Sequence, residues 1–113
     1  MGKVEAYKKI VSKLIEEIGN LGAKPGAVVK TQIIKDEPNG HYLLFSNGWR
    51  GDDRVYGCYL HIDISADGKI WLQHDGTDLV VAQKLLDQGI PKTDIVLAFH
   101  APFVREDTGF ALS

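Results

Sequence analysis

Cysteine is almost missing from this chain: Cys58 is the only one in 113 residues. A lone thiol excludes an internal disulfide and any multi-cysteine zinc site, and it fits a reducing, cytoplasmic setting. Arginine is scarce and scattered, at Arg50, Arg54 and Arg105, so the arginine-rich catalytic sets of tyrosine and serine recombinases are not present. A surplus of positive charge is lacking as well. Thirteen Lys and Arg stand against fifteen Asp and Glu, a net charge of -2, whereas a protein that grips a DNA backbone unaided usually carries a basic excess. No apolar run approaches the roughly 18 residues of a membrane span. The start, MGKVEAYKK, passes directly into an amphipathic pattern, which predicts no secretory signal. Gly2 invites myristoylation, but Ala6 stands where that pattern wants Ser or Thr. No glycine-rich phosphate loop of Walker or Rossmann spacing occurs, and no G-x-S-x-G elbow.

What is present is an ordinary globular composition, 44% hydrophobic and 25% charged, in a length that suits one domain over 1–113. Val4, Tyr7, Val11, Leu14, Ile15 and Ile18 recur at three- and four-residue steps and predict a helix over 3–19. Lys8, Lys9, Lys13 and Glu16 lie off its apolar stripe, and Gly19-Asn20 with Gly22 end it. The lysines read as a solvated helix face, with phosphate contact as the rival reading.

Four strand-like runs follow: AVVKTQIIK, HYLLFSNGW, RVYGCYLHIDI and KIWLQHD. Short turns (EPNG, RGDD and ADG) separate them, so the strands form a mostly antiparallel meander. From Thr77 the period changes. Thr77 or Asp78 can cap a second helix whose buried side is Leu79, Val81, Ala82, Leu85 and Leu86, with Gly89 and Pro91 ending it. DIVLAFHA reads as a buried strand or extended segment, and an irregular tail closes the chain. The fold class expected is α+β: an N-terminal helix, a four-stranded antiparallel meander, a second helix and a final extended segment.

The stretch HIDISADGKIWLQHDGTD, from His61 to Asp78, is rich in His and Asp and raises the question of a metal or hydrolytic site. A three-residue Ala66-Asp67-Gly68 loop pairs Ser65 with Lys69, Ile64 with Ile70, Ile62 with Leu72 and Leu60 with His74. Tyr56, Cys58, Leu60, Ile62, Ile64, Ile70 and Leu72 then share one face. Tyr59, His61, Asp63, Trp71, Gln73 and Asp75 share the other. A two-residue loop would mix the faces, so the apolar pattern selects the longer one.

In this register His74 goes to the core face, away from His61. His61, Asp63 and Asp75 are then too few and too spread for a converging ligand set, so no metal and no cofactor are expected. A hydrolase or nuclease built on His61, Asp63, His74 and Asp75 is the competing reading, and the register divides those groups between faces. His41 and His100 are too isolated to assign. Cys58, mid-strand among aliphatics, reads as packing. Trp71 and Tyr59 among shorter polar groups suggest a protein contact surface formed by Tyr59, His61, Asp63, Trp71, Gln73 and Asp75. The rival is that a helix or the C-terminal segment covers them.

The stretches GW at 48–49, RVYGCYLHIDI at 54–64, DGKIWLQHDGT at 67–77, GIPKTDIVLAFHAPFVR at 89–105 and the closing FALS carry a resemblance along nearly the whole chain. The sequence resembles the XisI family, the fdxN-element excision controlling factors of cyanobacteria. The resemblance implies a full-length, single XisI-like domain with helix, sheet and helix in the family's order. It implies a non-enzymatic accessory factor linked to site-specific excision of a DNA element in heterocyst differentiation. It also implies a protein partner, either the nuclease-like XisH protein or a recombinase, and leaves room for a homo-oligomer. Many relatives occur away from any excised element, which suits a regulatory half of a two-gene pair. No catalytic residue is carried over from the family. Direct DNA binding, through Lys3, Lys8, Lys9 and Lys13, is expected to be weak or absent.

Overall fold

The computed structural model describes residues 2–22 and 25–113. Helix α1 (Lys3–Gly22) leads into β1 (Val29–Asp36), β2 (His41–Arg50), β3 (Asp53–Ile64) and β4 (Ile70–Asp75). After them come α2 (Val81–Asp87), a 3-10 turn at Lys92–Asp94, β5 (Ile95–Leu97) and a one-turn α3 (Pro102–Arg105). The sheet order is β1-β2-β3-β4-β5. The first four strands are the expected antiparallel meander. The final extended segment adds a fifth strand, paired parallel to β4, which the crossover through α2 permits.

The expected α1 stripe is the core. Tyr7, Val11, Leu14, Ile15 and Ile18 are buried against Tyr42, Leu44, Leu60, Ile62, Ile64, Ile70 and Leu72 of the sheet. Val81 and Leu85 of α2, with Ile90, Ile95 and Leu97, join the same cluster. Both long helices therefore cover one face of the sheet. Helix α1 runs past Gly19 to Gly22, and Gly19 itself is buried. A Cβ at Gly19 would stand 2.9 Å from Ile33 Cδ1 and 3.1 Å from Leu44 Cδ2, so the bare glycine lets the helix lie close on the strands.

Helix α2 starts later than expected, at Val81, and neither Thr77 nor Asp78 caps it. Val80 occupies the cap position without a side-chain bond. Asp75 Oδ2 accepts from the Val81 N–H at 3.1 Å instead. Its end is as expected: Gly89 N–H donates to Leu86 O and Ile90 N–H to Leu85 O, the paired bonds of a Schellman stop.

The 3-10 turn is tied to α1 by the Tyr7 hydroxyl, which donates to the Asp94 carboxylate, and Lys3 adds an ion pair at 3.4 Å. Burial, then Asp94, push the Tyr7 phenol up to about 12 from its ordinary 10.0. Burial also raises Tyr42, beside Glu37. In the unfolded chain both phenols ionise near 10, while the native state holds their protons. Stability from this source is full below pH 10 and is lost as pH rises through the folded values. Thermal melts should therefore show a fall in Tm that begins near pH 10. Tyr7→Phe should remove about half of the part lost between about 10 and 12, Tyr42 carrying the rest, at a cost near neutrality of about 2 kcal/mol for the charge-assisted bond.

Candidate functional site on the open sheet face

Two irregularities decide what the uncovered face presents. Between β2 and β3 the register shifts after Leu44↔Leu60, and the next pair is Phe45↔Cys58. Tyr59 is the extra residue. Between β3 and β4 the pairs Ile64↔Ile70, Asp63↔Trp71 and Ile62↔Leu72 hold as expected, and then His61 meets His74 and Leu60 meets Asp75. Gln73 is the extra residue there. The hairpin loop itself is the expected one, with Ser65 N–H donating to Lys69 O at 3.0 Å and Gly68 at φ 86°. A bulge inverts the alternation beyond it, and each one corrects the expected faces.

Tyr59 is the first correction. It does not stand with His61 but on the helix side, packed against the core, with its hydroxyl donating to Thr31 Oγ1 at 3.3 Å. There it lines a groove of about 580 Å³ with Ile18, Leu21 and Leu79. Asp75 is the second. It lies across from Leu60, and its carboxylate takes the Val81 and Thr77 N–H groups and the Thr77 hydroxyl. That employment at the start of α2 removes it from the open face. His74 is the third. It is exposed rather than in the core, and it pairs across the strands with His61. Tyr56 and Cys58, expected inside, turn to the open face with Phe45 and Asn47. Cys58 is half-buried there, and burial pushes its thiol up, which leaves little thiolate at neutral pH.

Two groups remain on the open face. The polar one centres on Asp63. His41 Nδ1 lies 2.7 Å and His61 Nε2 2.8 Å from the same oxygen, Oδ1. Gln73 Nε2 donates to Oδ2 at 3.2 Å. The quartet His61, Asp63, His74 and Asp75 is therefore not assembled, and His41 takes the place the sequence had given to others. A bulge-free register carried from the Arg50–Asp53 turn sets His41 opposite Ile62, so the sequence hid this neighbour. The shift at Leu44/Phe45 brings His41 opposite Asp63.

The second group is aromatic. Trp49 is 55% and Tyr56 63% exposed. The Arg54 guanidinium lies 5.6 Å from the Trp49 ring centre and 5.1 Å from that of Tyr56, both within cation–π range. Phe45 continues the strip, 5.9 Å from Tyr56 between ring centres. Trp71 is different. Its Nε1–H donates to Ser65 Oγ at 3.3 Å, and the Arg105 guanidinium stands 5.9 Å over its ring. The C-terminal segment thus packs on the β4 end of this face, and the β1–β3 end stays open. Among the described residues, no helix is long and apolar enough to cross a membrane.

Comparison with known proteins agrees with this architecture. A XisI-like protein from Anabaena variabilis superposes with a TM-score of 0.89 at 36% identity, covering 97% of this chain and 99% of its own. The fdxN element excision controlling factor XisI from the same organism gives 0.86 at 35% identity, covering 99% of this chain and 100% of its own. No curated protein matches the chain. The family model described as XisI protein matches residues 1–112. On that match and on the helix–sheet–helix order shared with both Anabaena structures, this chain belongs to the XisI family.

Proposed function

We propose that this protein is a cytoplasmic, non-enzymatic controlling factor for excision of a DNA element, and that it acts by binding a protein partner through the open sheet face. The partner of this reading is a XisH-like, nuclease-fold protein or the recombinase itself. The observation that carries it is the exposed pair Trp49 and Tyr56, bridged by Arg54 and continued by the half-buried Phe45. Aromatics and arginine are the residue types enriched at the energetic centres of interfaces, and a contiguous exposed apolar patch is a common mark of one. The excision control stated for the similar Anabaena protein supplies the process. His61, Asp63, Trp71 and Gln73 fall on the same face and would lie at the margin of the contact. Tyr59 and Asp75 would contribute only through the fold.

The test is co-expression with the XisH-like product of a neighbouring gene, followed by size-exclusion chromatography and by an excision reporter in the same cells. Co-elution together with a change in excision frequency is the expected result. Separate elution of both proteins, with excision unaltered by deletion of this chain, would sink the reading.

Direct DNA binding should contribute little. Lys8 pairs with Glu5 and Lys13 with Glu17 on α1, so nearby carboxylates offset this basic cluster. If Lys8, Lys9 and Lys13 each neutralise one phosphate, affinity should fall roughly fortyfold for a fourfold rise in salt, from a slope of about -2.7. Electrophoretic mobility shifts across a salt series would check this. Tight, sequence-specific binding at high salt is the contrary result.

A further inference from the structure

We propose that His41, His61 and Asp63 form a binding site for one divalent transition-metal ion of the zinc class. The inference stands on its own geometry and does not depend on the partner reading. Each residue offers one ligand atom, and the three atoms lie within 4.8 Å of one another. Two imidazoles and a carboxylate match the three-protein-ligand sets that zinc and iron(II) occupy with a position left open. Two nitrogen ligands disfavour calcium and magnesium, which take oxygen.

Little movement is required at the carboxylate. Around a tetrahedral ion with bonds of about 2.0–2.1 Å, ligand atoms stand about 3.3 Å apart. The His41 and His61 nitrogens are now 2.7 and 2.8 Å from Asp63 Oδ1, so each contact opens by about half an ångström to admit the ion. The ligands come from paired strands. His41 lies directly across from Asp63, and His61 is two residues before it on the same side of β3. Strand-borne ligands hold their spacing better than loop-borne ones.

Gln73 supplies what a ligating carboxylate normally has, a hydrogen bond on its other oxygen: its amide donates to Oδ2 and keeps Oδ1 turned to the histidines. His41 is exposed, which gives the ion an entry and leaves a coordination position for water or for a side chain of a bound protein. His74 is not a member. Its Nε2 lies beside Gly76, outside the set of three.

The experiment uses the full chain, stripped with chelator and titrated with zinc chloride by calorimetry, and with cobalt(II) by visible absorption. About one equivalent should bind, cobalt should give the intense bands of a four-coordinate site, and zinc should raise the Tm. Asp63→Asn preserves shape and should weaken binding by more than about tenfold, and Gln73→Ala by about tenfold, the usual range for a group that orients a ligand. His41→Gln, at an exposed position, should weaken binding as Asp63→Asn does, and it keeps the test decisive if the latter folds poorly. His74→Gln and His100→Gln should leave the isotherm unchanged. Failure to saturate, or a stoichiometric site that survives His41→Gln and Asp63→Asn, overturns the assignment.

Discussion

Gly40→Ala should be the most damaging single-methyl change in the protein, lowering the unfolding free energy by about 3 kcal/mol. Two separate costs meet at this residue. Its φ is 72°, a left-handed conformation that costs a residue with a Cβ roughly 1–2 kcal/mol. The added carbon would also stand 2.6 Å from the Ile64 carbonyl oxygen, a backbone atom that cannot swing away as a side-chain tip could. The same pair is bonded in the other direction, with Ile64 N–H donating to Gly40 O at 2.8 Å, so the clash pries open the β2–β3 ladder where it begins. Overpacking of this kind adds about 1–3 kcal/mol.

Two companions separate the terms. Gly51→Ala carries only the conformational cost, because φ is 64° and nothing lies within 4 Å of its added carbon, and it should lose about 1 kcal/mol. Gly48→Ala carries only the steric one, at 2.2 Å from Val28 O and 2.7 Å from Val29 Cα, and it should lose about 2–3 kcal/mol. Urea melts of the three variants give the ranking. A loss at Gly40 no larger than at Gly51 would show that the turn relaxes and that the close approach to Ile64 does not matter.

These glycines also show what could be read from the residues alone. The Pro-Asn-Gly turn before β2 and the Asp-Gly turn before β4 were legible because each needs a residue tolerant of positive φ at a fixed place. The aliphatic alternation through Ile62, Ile64, Ile70 and Leu72 was legible because one face of a sheet must be dry. The fifth strand was visible as a buried extended segment, but its parallel partner was not, since pairing across a crossover leaves no local mark.

The candidate site was half legible for one reason. A bulge adds a residue without a composition signal, and both bulges lie in the two strands that carry His61 and His74. Up to the first inserted residue, the sequence placed Asp63, Trp71 and Gln73 on their true face. Past it, alternation failed, and Tyr59, His74, Asp75, Tyr56 and Cys58 changed sides. A burial argument could have raised doubt at Tyr56, whose hydroxyl needs a partner if it is placed among Leu60 and Ile62. Nothing comparable marked His41.

The same inversion brings Tyr56 to the open face beside Trp49, and the C-terminal segment takes up Trp71, so the centre of the contact surface moves to the Trp49–Tyr56 pair. Trp71 is engaged on both sides by its own chain, through Ser65 and Arg105, so Trp71→Ala should act mainly on stability, with a loss of about 2 kcal/mol or more. Trp49 and Tyr56 contribute little to the core, being more than half exposed. Their rings are nevertheless held in place by the Arg54 guanidinium between them, so little ordering cost remains when another surface closes over them. An aromatic at the centre of an interface costs about 2 kcal/mol or more when truncated, which is roughly thirtyfold in affinity.

Trp49→Ala and Tyr56→Ala should each weaken the partner complex by at least about tenfold while shifting the isolated protein's Tm by no more than a few degrees. Arg54→Ala should weaken it less, because it loosens the rings without removing them. Calorimetric titration of each variant with the partner, beside a melt of the variant alone, separates binding from folding. If both aromatic variants bind as the wild type does while the Trp71→Ala protein, still folded, fails to bind, the contact lies at the β4 end under the C-terminal segment and the aromatic strip is not the docking surface.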